Sequence, residues 1–111
     1  MEAASTAAPA AAPQHIRALE HANRVRLARA ALKRSVRAGE LAADEVVRER
    51  PWEAETMSVS ELLRSQSRWG QTRTRKFLVP LALNENRQLG RLTLRQREAL
   101  AGALEDKRGR R

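Results

Sequence analysis

Apolar residues along this chain recur at spacings of three and four, and no stretch alternates apolar and polar residues with a period of two. This pattern is typical of α-helices and not of β-strands. It predicts one long helix over Gln14–Arg37, with Pro13 at its entry and Gly39 as a C-terminal cap. The apolar residues of this helix point in two nearly opposite directions. We therefore expect its C-terminal half to pack on a body and its N-terminal half to project.

Two short helices are expected next. Residues 41–50 predict an acidic helix that stops at Pro51, because proline cannot continue the hydrogen-bond ladder of a helix. Trp52 follows directly and is expected in the core. The capping box Ser58-Val59-Ser60-Glu61 then opens a helix that runs to about Ser65.

The C-terminal part of the chain predicts two helices joined by a double turn. Gly70 breaks the chain, and a helix runs over residues 71–81, with Pro80 near its end. Residues 84–92 form the double turn. Thr93-Leu94-Arg95-Gln96 is a second capping box, which starts a last helix to about Glu105. The chain is thus expected to be all-α, with four or five helices.

Charge narrows the classes of partner. The net charge is +9 and the pI about 11.6, which favours a nucleic acid or an anionic membrane surface. No apolar run approaches the roughly 18 residues that span a bilayer, and the N-terminus has no features of a signal peptide, so we expect a cytoplasmic protein without a membrane partner. The chain has no cysteine, which excludes disulfides, zinc–cysteine clusters and thiol chemistry.

Basic residues are concentrated on the long helix, where four of them recur at spacings of three and four and so share a face. These residues are Arg26, Arg29, Lys33 and Arg37. They are a candidate DNA-binding surface, second to the one predicted around Gly70 and the double turn. Alternatively, they form a solvated helix face paired with the acidic residues of the next segment. Residues 38–58 carry six acids and two arginines, so charge alternates along the chain.

The predicted helix after Gly70 begins with positively charged side chains, which the helix dipole disfavours at that end. Arg73, Arg75 and Lys76 lie in its first turns, where the helix dipole favours anions, and Arg68 precedes it. A bound polyanion with its phosphates at this helix start would explain the pattern. Gly70 would let backbone N–H groups approach a phosphate closely, since it has no Cβ.

Residues 66–104 resemble the actinobacterial-type integration host factors, which are small helical nucleoid-associated proteins. The resemblance begins near Ala18 with the basic first helix and includes Met57-Ser58-Val59-Ser60-Glu61-Leu62-Leu63, the Gly70 hairpin and the Arg-rich double turn. It ends with Arg95-Gln96-Arg97-Glu98-Ala99-Leu100, and it continues without gaps from Val59 onward.

The resemblance implies a long first helix packed on a small body that contains a helix–two-turn–helix motif. It further implies a non-enzymatic nucleoid protein that binds double-stranded DNA with little sequence preference, contacts phosphates and the minor groove, and bends or compacts DNA. The expected divisions are a disordered Ala/Pro-rich tail over residues 1–13, a long basic helix over 14–38, the globular body over 39–105 and a basic tail over 106–111. We expect a monomer.

Two segments depart from the family pattern and indicate a divergent paralogue. The hairpin is Ser67-Arg68-Trp69-Gly70-Gln71 where the family usually has Pro-Gly/Lys-Val-Gly-Lys. The double turn is Arg87-Gln88-Leu89-Gly90-Arg91-Leu92-Thr93 where the family usually has Arg-Arg-x-Arg-Gly-Leu-Gly.

The predicted DNA contacts combine the hairpin, the helix after it, the double turn and the start of the last helix. They are Arg68, Trp69, Gly70, Gln71, Arg73, Thr74, Arg75, Lys76, Arg87, Gln88, Gly90, Arg91 and Arg95. These residues also have interpretations without DNA. In these, the basic residues are ordinary solvated side chains, Arg87 or Arg91 caps a helix end, and Trp69 packs the hairpin onto the body.

Other functions remain open at this point. An RNA-binding or ribosome-associated protein would use the same phosphate contacts, and the long helix could serve a protein–protein adaptor. DNA glycosylases with a helix–two-turn–helix use an N-terminal proline and usually a cysteine zinc finger, whereas this chain begins Met1-Glu2 and lacks cysteine. We predict no catalytic residue, metal, cofactor or small-molecule substrate.

Overall fold

Five α-helices make up most of the computed structural model, which describes residues 13–109. They are α1 (Gln14–Arg37), α2 (Ala43–Glu49), α3 (Val59–Arg64), α4 (Gln71–Leu78) and α5 (Leu94–Gly109). Short 3₁₀ turns cover Trp52–Ala54, Val79–Leu81 and Leu89–Arg91. The described residues contain no β-strand, and the all-α prediction is confirmed. Apart from Pro13, the predicted N-terminal tail lies outside this range.

The long helix α1 is half packed and half projecting, as its apolar pattern predicts. Leu32 and Val36 are buried in the core, whereas Leu19 is 66% exposed and Leu27 is 59% exposed. The projection makes the molecule elongated, with principal extents of 61 × 27 × 23 Å. Gly39, with φ of +80°, turns the chain after α1, and its N–H donates to the Val36 carbonyl at 3.1 Å.

A single core lies between the C-terminal half of α1 and the four shorter helices, with α2 packed along α5. The prediction that Trp52 belongs to this core is wrong, because its side chain is 57% exposed. Arg50 is left-handed, with φ of 55°, and Pro51 follows it into the 3₁₀ turn. This turn directs Ala54 inward, and Ala54 is only 2% exposed.

The two predicted capping boxes start their helices. At α3, the Ser58 hydroxyl accepts the Glu61 N–H at 3.0 Å. At α5 both halves of the box form: Thr93 Oγ1 accepts the Gln96 N–H at 3.1 Å, and the Thr93 N–H donates to Gln96 Oε1 at 3.0 Å. These bonds satisfy backbone donors that the first turn of a helix leaves unpaired.

Helix α5 extends one turn beyond its predicted end at Glu105, so residues 106–109 are helical and not a tail. The extra turn carries Arg108, whose guanidinium donates to the two oxygens of Asp44 at 3.1 and 2.9 Å. The hydrogen bonds that Arg108 donates to this carboxylate raise the pKa of the guanidinium. Asp44 is buried in the first turn of α2, so the pair fixes the end of α5 to α2.

Candidate nucleic-acid interface

The double turn between α4 and α5 is held against the segment before α3 by a ladder of backbone hydrogen bonds. Four N–H groups donate to carbonyl oxygens, each at 2.9 Å: Gly90 to Glu55, Leu89 to Met57, Val59 to Arg87 and Ser60 to Glu85. Ser58 and Gln88 form an isolated antiparallel bridge at its centre. The backbone on either side of Arg87 therefore has a fixed position relative to α3.

Arg97 supports the double turn from beneath. Its buried guanidinium donates to the Leu89 carbonyl at 2.7 Å and to the Val47 carbonyl at 3.1 Å. Burial, followed by repulsion from Arg50, lowers the pKa of Arg97. Arg97 was not among the predicted site residues, although it precedes the buried Leu100 and Ala101 by three and four residues and so lies on their face of α5.

The hairpin before α4 reverses at Arg68 and not at the predicted Gly70. Arg68 is left-handed, with φ of 71°, and the Trp69 N–H donates to the Gln66 carbonyl at 3.2 Å. Gly70 is extended, with φ of −96° and ψ of −170°, and provides α4 with no side-chain cap. A Cβ built on Gly70 would have no heavy atom within 4 Å, so the fold does not require glycine there.

Thr74 is fully buried in α4, and its hydroxyl donates to the Gly70 carbonyl at 2.8 Å. Its assignment as a DNA contact is therefore wrong for this structure. Arg73 lies over the Trp69 ring, with its guanidinium carbon 4.5 Å from the ring centroid. Trp69 also meets Phe77 edge to face, with ring centroids 5.1 Å apart. The partly buried indole thus packs the hairpin onto α4.

A groove of about 640 Å³ lies between α1, α3 and the hairpin, and we call it the basic groove. Its lining residues are Lys33, Arg34, Arg37, Ser58, Ser60, Glu61, Arg64, Ser65, Trp69, Gly70 and Asn86. Four of them are cationic and one is acidic, and the acid, Glu61, already forms an ion pair with Lys33. The remaining positive charge has no counterpart within the groove.

The basic groove unites two surfaces that the sequence presented separately. Lys33 and Arg37, from the predicted second surface, line the same groove as Gly70 of the hairpin. Arg29 does not join them, because its Nε donates to the Glu53 carbonyl at 3.2 Å. Arg26 instead donates to Asn23 on its own helix.

Arg34 and Arg64 line the basic groove but were not among the predicted site residues. Arg34 lies outside the chosen stripe on α1, and Arg64 lies in the last turn of α3, where a basic residue suits the helix dipole. Neither position broke a local rule, so no local signal marked them. Only the packing of α1 across α3 brings the two arginines into one groove.

The double turn provides an adjoining face, lined by Asn84, Asn86, Arg87, Gln88 and Arg91. Asn86 belongs to this face and to the basic groove, so the two are continuous. Arg87 donates to the Arg91 carbonyl at 3.2 Å. Unlike Gly70, Gly90 has no room for a larger side chain, because a Cβ there would lie 2.8 Å from the Glu55 carbonyl oxygen. Its glycine is needed for packing, which explains this residue without a DNA contact.

The other predicted contacts lie on exposed helix surface. Gln71, Lys76 and Arg95 are exposed, and Arg68 is exposed at the hairpin tip. Arg75 is exposed too, but its Nε forms an ion pair with Glu85 at 3.2 Å. The prediction that Arg75 and Lys76 lie in the first turns of the helix is wrong, because α4 ends at Leu78 and both lie in its last turn, where cations suit the helix dipole. None of these five residues lines the basic groove.

Residues 13–109 contain no cluster of three His, Cys, Asp or Glu side chains that could hold a metal ion. Within the same part of the chain, no helix has the length and apolar character needed to cross a membrane.

Comparison with known proteins supports this architecture. No protein-family model matches the chain, and no curated protein matches it by sequence. A solved structure of sIHF bound to an 8-bp palindromic DNA matches with a TM-score of 0.68 and 25% sequence identity. The match covers 77% of this chain and 98% of that chain. The chain has an sIHF-like fold. At the level of the fold, this agrees with the resemblance to integration host factors.

Proposed function

We propose that this chain is a non-enzymatic architectural protein that binds duplex DNA through the basic groove and the adjoining double-turn face. One observation carries the proposal: the groove gathers cations from α1 and α3 beside the glycine of the hairpin, and its one acid is already paired. Four cations and one acid leave three positive charges in excess in the groove, and these attract a polyanion. The sIHF structure, which has the same fold, is a complex with DNA.

A phosphate group fits the start of α4. The helix has eight residues and carries no side-chain cap and no acid in its first turn, so its first N–H groups are available to an anion. Gly70 lines the basic groove and presents no Cβ in the path of the phosphate. Backbone donors at α4 and the guanidinium of Arg64 would then contact the same DNA strand.

Arg87 and Arg91 would contact the minor groove from the double-turn face. Both arginines are exposed, and the backbone ladder fixes the turn that presents them. Contacts to phosphates, sugars and minor-groove edges carry little sequence information, so we infer low sequence specificity. We further propose a monomeric, cytoplasmic and nucleoid-associated protein, a divergent paralogue of the actinobacterial-type integration host factors, that bends or compacts DNA.

RNA is the second candidate partner, because phosphate contacts alone do not distinguish the two nucleic acids. The sIHF complex favours DNA. Competition between DNA and RNA duplexes of matched length and sequence tests this choice. We expect the DNA duplex to compete better, and tighter binding of RNA would reverse the assignment.

The basic groove is tested by a matched pair of charge reversals, Arg64→Glu and Arg24→Glu. Both arginines are exposed on helices, but Arg24 lies on the projecting half of α1 and does not line the groove. In fluorescence anisotropy with a duplex, we expect Arg64→Glu to weaken binding about tenfold or more and Arg24→Glu to change it less than about threefold. Circular dichroism and thermal melting establish that both variants remain folded.

The salt dependence of the wild-type protein gives an independent measurement. If about six to eight phosphates are neutralised, the logarithm of the association constant falls against that of the salt concentration with a slope near −5 to −7. Absence of duplex binding at low salt, a slope near zero, or equal losses in the two variants would contradict the proposal.

A further inference from the structure

Trp69 and Arg37 also line a second groove, which is smaller, about 290 Å³, and which we call the second groove. It lies where the ends of α1 and α5 meet the start of α2 and the hairpin. Its accessible apolar surface comes mainly from the half-buried Leu41 and Trp69, and the almost fully buried Val36 and Leu104 lie beneath them. Four basic side chains also line it: Arg37, Arg73, Lys107 and Arg108.

Some charged side chains of the second groove have ion-pair partners and others do not. Asp44 is its one acid, and both Arg108 and Arg48 already form ion pairs with this carboxylate. Among the described residues, Arg37, Arg73 and Lys107 form no ion pair. The groove therefore combines an apolar surface with three cations that lack a carboxylate partner.

We propose that the second groove binds a small phosphate ester with a planar apolar body, which is the chemistry of a mononucleotide. The apolar surface would remove the body from water, and the three cations would hold the phosphate. Small-molecule sites are usually concave, largely apolar and supplied with a few convergent polar groups, with volumes from about 300 Å³ upward. At about 290 Å³ the second groove lies at the lower end of this range, so the proposed ligand is no larger than one nucleotide.

The second groove shares Arg37 and Trp69 with the proposed duplex interface, but two of the three cations without a carboxylate partner belong to it alone. Lys107 and Arg73 line the second groove and not the basic groove. Binding is measured with no nucleic acid duplex present. A failed measurement would therefore leave the duplex-binding proposal untouched, and the reverse also holds.

The two tryptophans provide a probe and an internal control for nuclear magnetic resonance. The Trp69 indole lines the second groove, whereas Trp52 is exposed and lines neither groove. On titration of the labelled protein with adenosine monophosphate, we expect a saturable shift of the Trp69 indole N–H resonance. The amide resonances of Leu41 and Gln66 should move with it, and the Trp52 indole should not.

Fragments of the probe separate the two parts of the site. Inorganic phosphate lacks the apolar body and adenosine lacks the charge, so each should bind about tenfold more weakly than adenosine monophosphate. A 5′-phosphorylated trinucleotide distinguishes a strand end from a free nucleotide as the source of this chemistry. Tighter binding of the trinucleotide identifies the strand end, and tighter binding of the mononucleotide identifies the free ligand.

Lys107→Ala and Lys76→Ala are the matched variants, since both lysines are exposed and only Lys107 lines the second groove. We expect Lys107→Ala to weaken binding of adenosine monophosphate about fivefold or more and Lys76→Ala to leave it unchanged. The proposal is overturned if the Trp69 resonance shows no saturable shift at millimolar ligand. It is equally overturned if phosphate alone binds as tightly or if both variants weaken binding alike.

Discussion

Gly90 and Gly70 both belong to the predicted interface, but Gly90 is needed for packing, whereas Gly70 is proposed to leave room for a phosphate. Substituting alanine at each position tests these two roles separately. A Cβ on Gly90 would lie 2.8 Å from the carbonyl oxygen of Glu55 and 2.8 Å from its Oε1. The carboxylate of Glu55 is the end of a flexible side chain and can move. The carbonyl cannot move freely, because it accepts the N–H of Gly90 itself at 2.9 Å.

Gly90→Ala must therefore push the double turn away from the segment before α3. Forcing a methyl group into a filled site typically costs about 1–3 kcal/mol. A change of 1 kcal/mol shifts the Tm of a domain of this size by about 4–8 °C. We expect Gly90→Ala to lower the Tm by about 5–20 °C.

Gly70→Ala is the matched control. Its φ of −96° suits alanine and the added methyl group meets no heavy atom within 4 Å, but alanine is a poorer N-cap than glycine, so the free energy of unfolding should change by less than about 1 kcal/mol. Duplex affinity should fall, because the methyl group lies where a phosphate would approach the start of α4. Calorimetry and anisotropy measure the two quantities. An unchanged Tm for Gly90→Ala would refute the packing analysis, and full duplex affinity for Gly70→Ala would refute close approach there.

Three further substitutions test the supports of the site. Arg97→Met should lower the free energy of unfolding by about 2–4 kcal/mol in urea, because the carbonyls of Val47 and Leu89 lose their donor; a loss under about 1 kcal/mol would contradict this. Arg68→Gly should raise the free energy of unfolding in urea by about 1 kcal/mol, because glycine adopts the left-handed backbone without strain; an unchanged or lower stability would contradict this. Gly70→Asp should stabilise α4 by about 0.5–1 kcal/mol as an N-cap and abolish duplex binding, because its carboxylate would occupy the phosphate position; retained binding would count against that position.

The fold could be predicted from sequence where its causes are local. The capping boxes at Ser58 and Thr93 fix two helix starts, and Gly39 marks the end of the long helix, because each acts through bonds within a few residues. The two directions of apolar residues on α1 likewise predicted its projecting half. These signals need no knowledge of what packs against what.

The site could be predicted only in part, because packing decides which cations meet. The helical spacing placed Arg29 on one face with the other basic residues of α1. However, the 3₁₀ turn at Trp52–Ala54 packs against α1, and its Glu53 carbonyl accepts a hydrogen bond from the Arg29 guanidinium. Arg64 gave no local signal and lines the basic groove. Thr74 lies between basic neighbours in sequence, yet helical geometry turns it into the core.

The start of α4 differs from the other helix starts of the body in a way that favours a ligand. Helices α3 and α5 begin with complete or partial capping boxes, and α2 carries two acids in its first turn. Helix α4 has no side-chain cap and no acid, and it follows the left-handed Arg68. These unfavourable features meet at a residue that lines the basic groove, Gly70. A phosphate there would complete the cap, so the helix start with the weakest cap in the free protein would gain most from a bound anion.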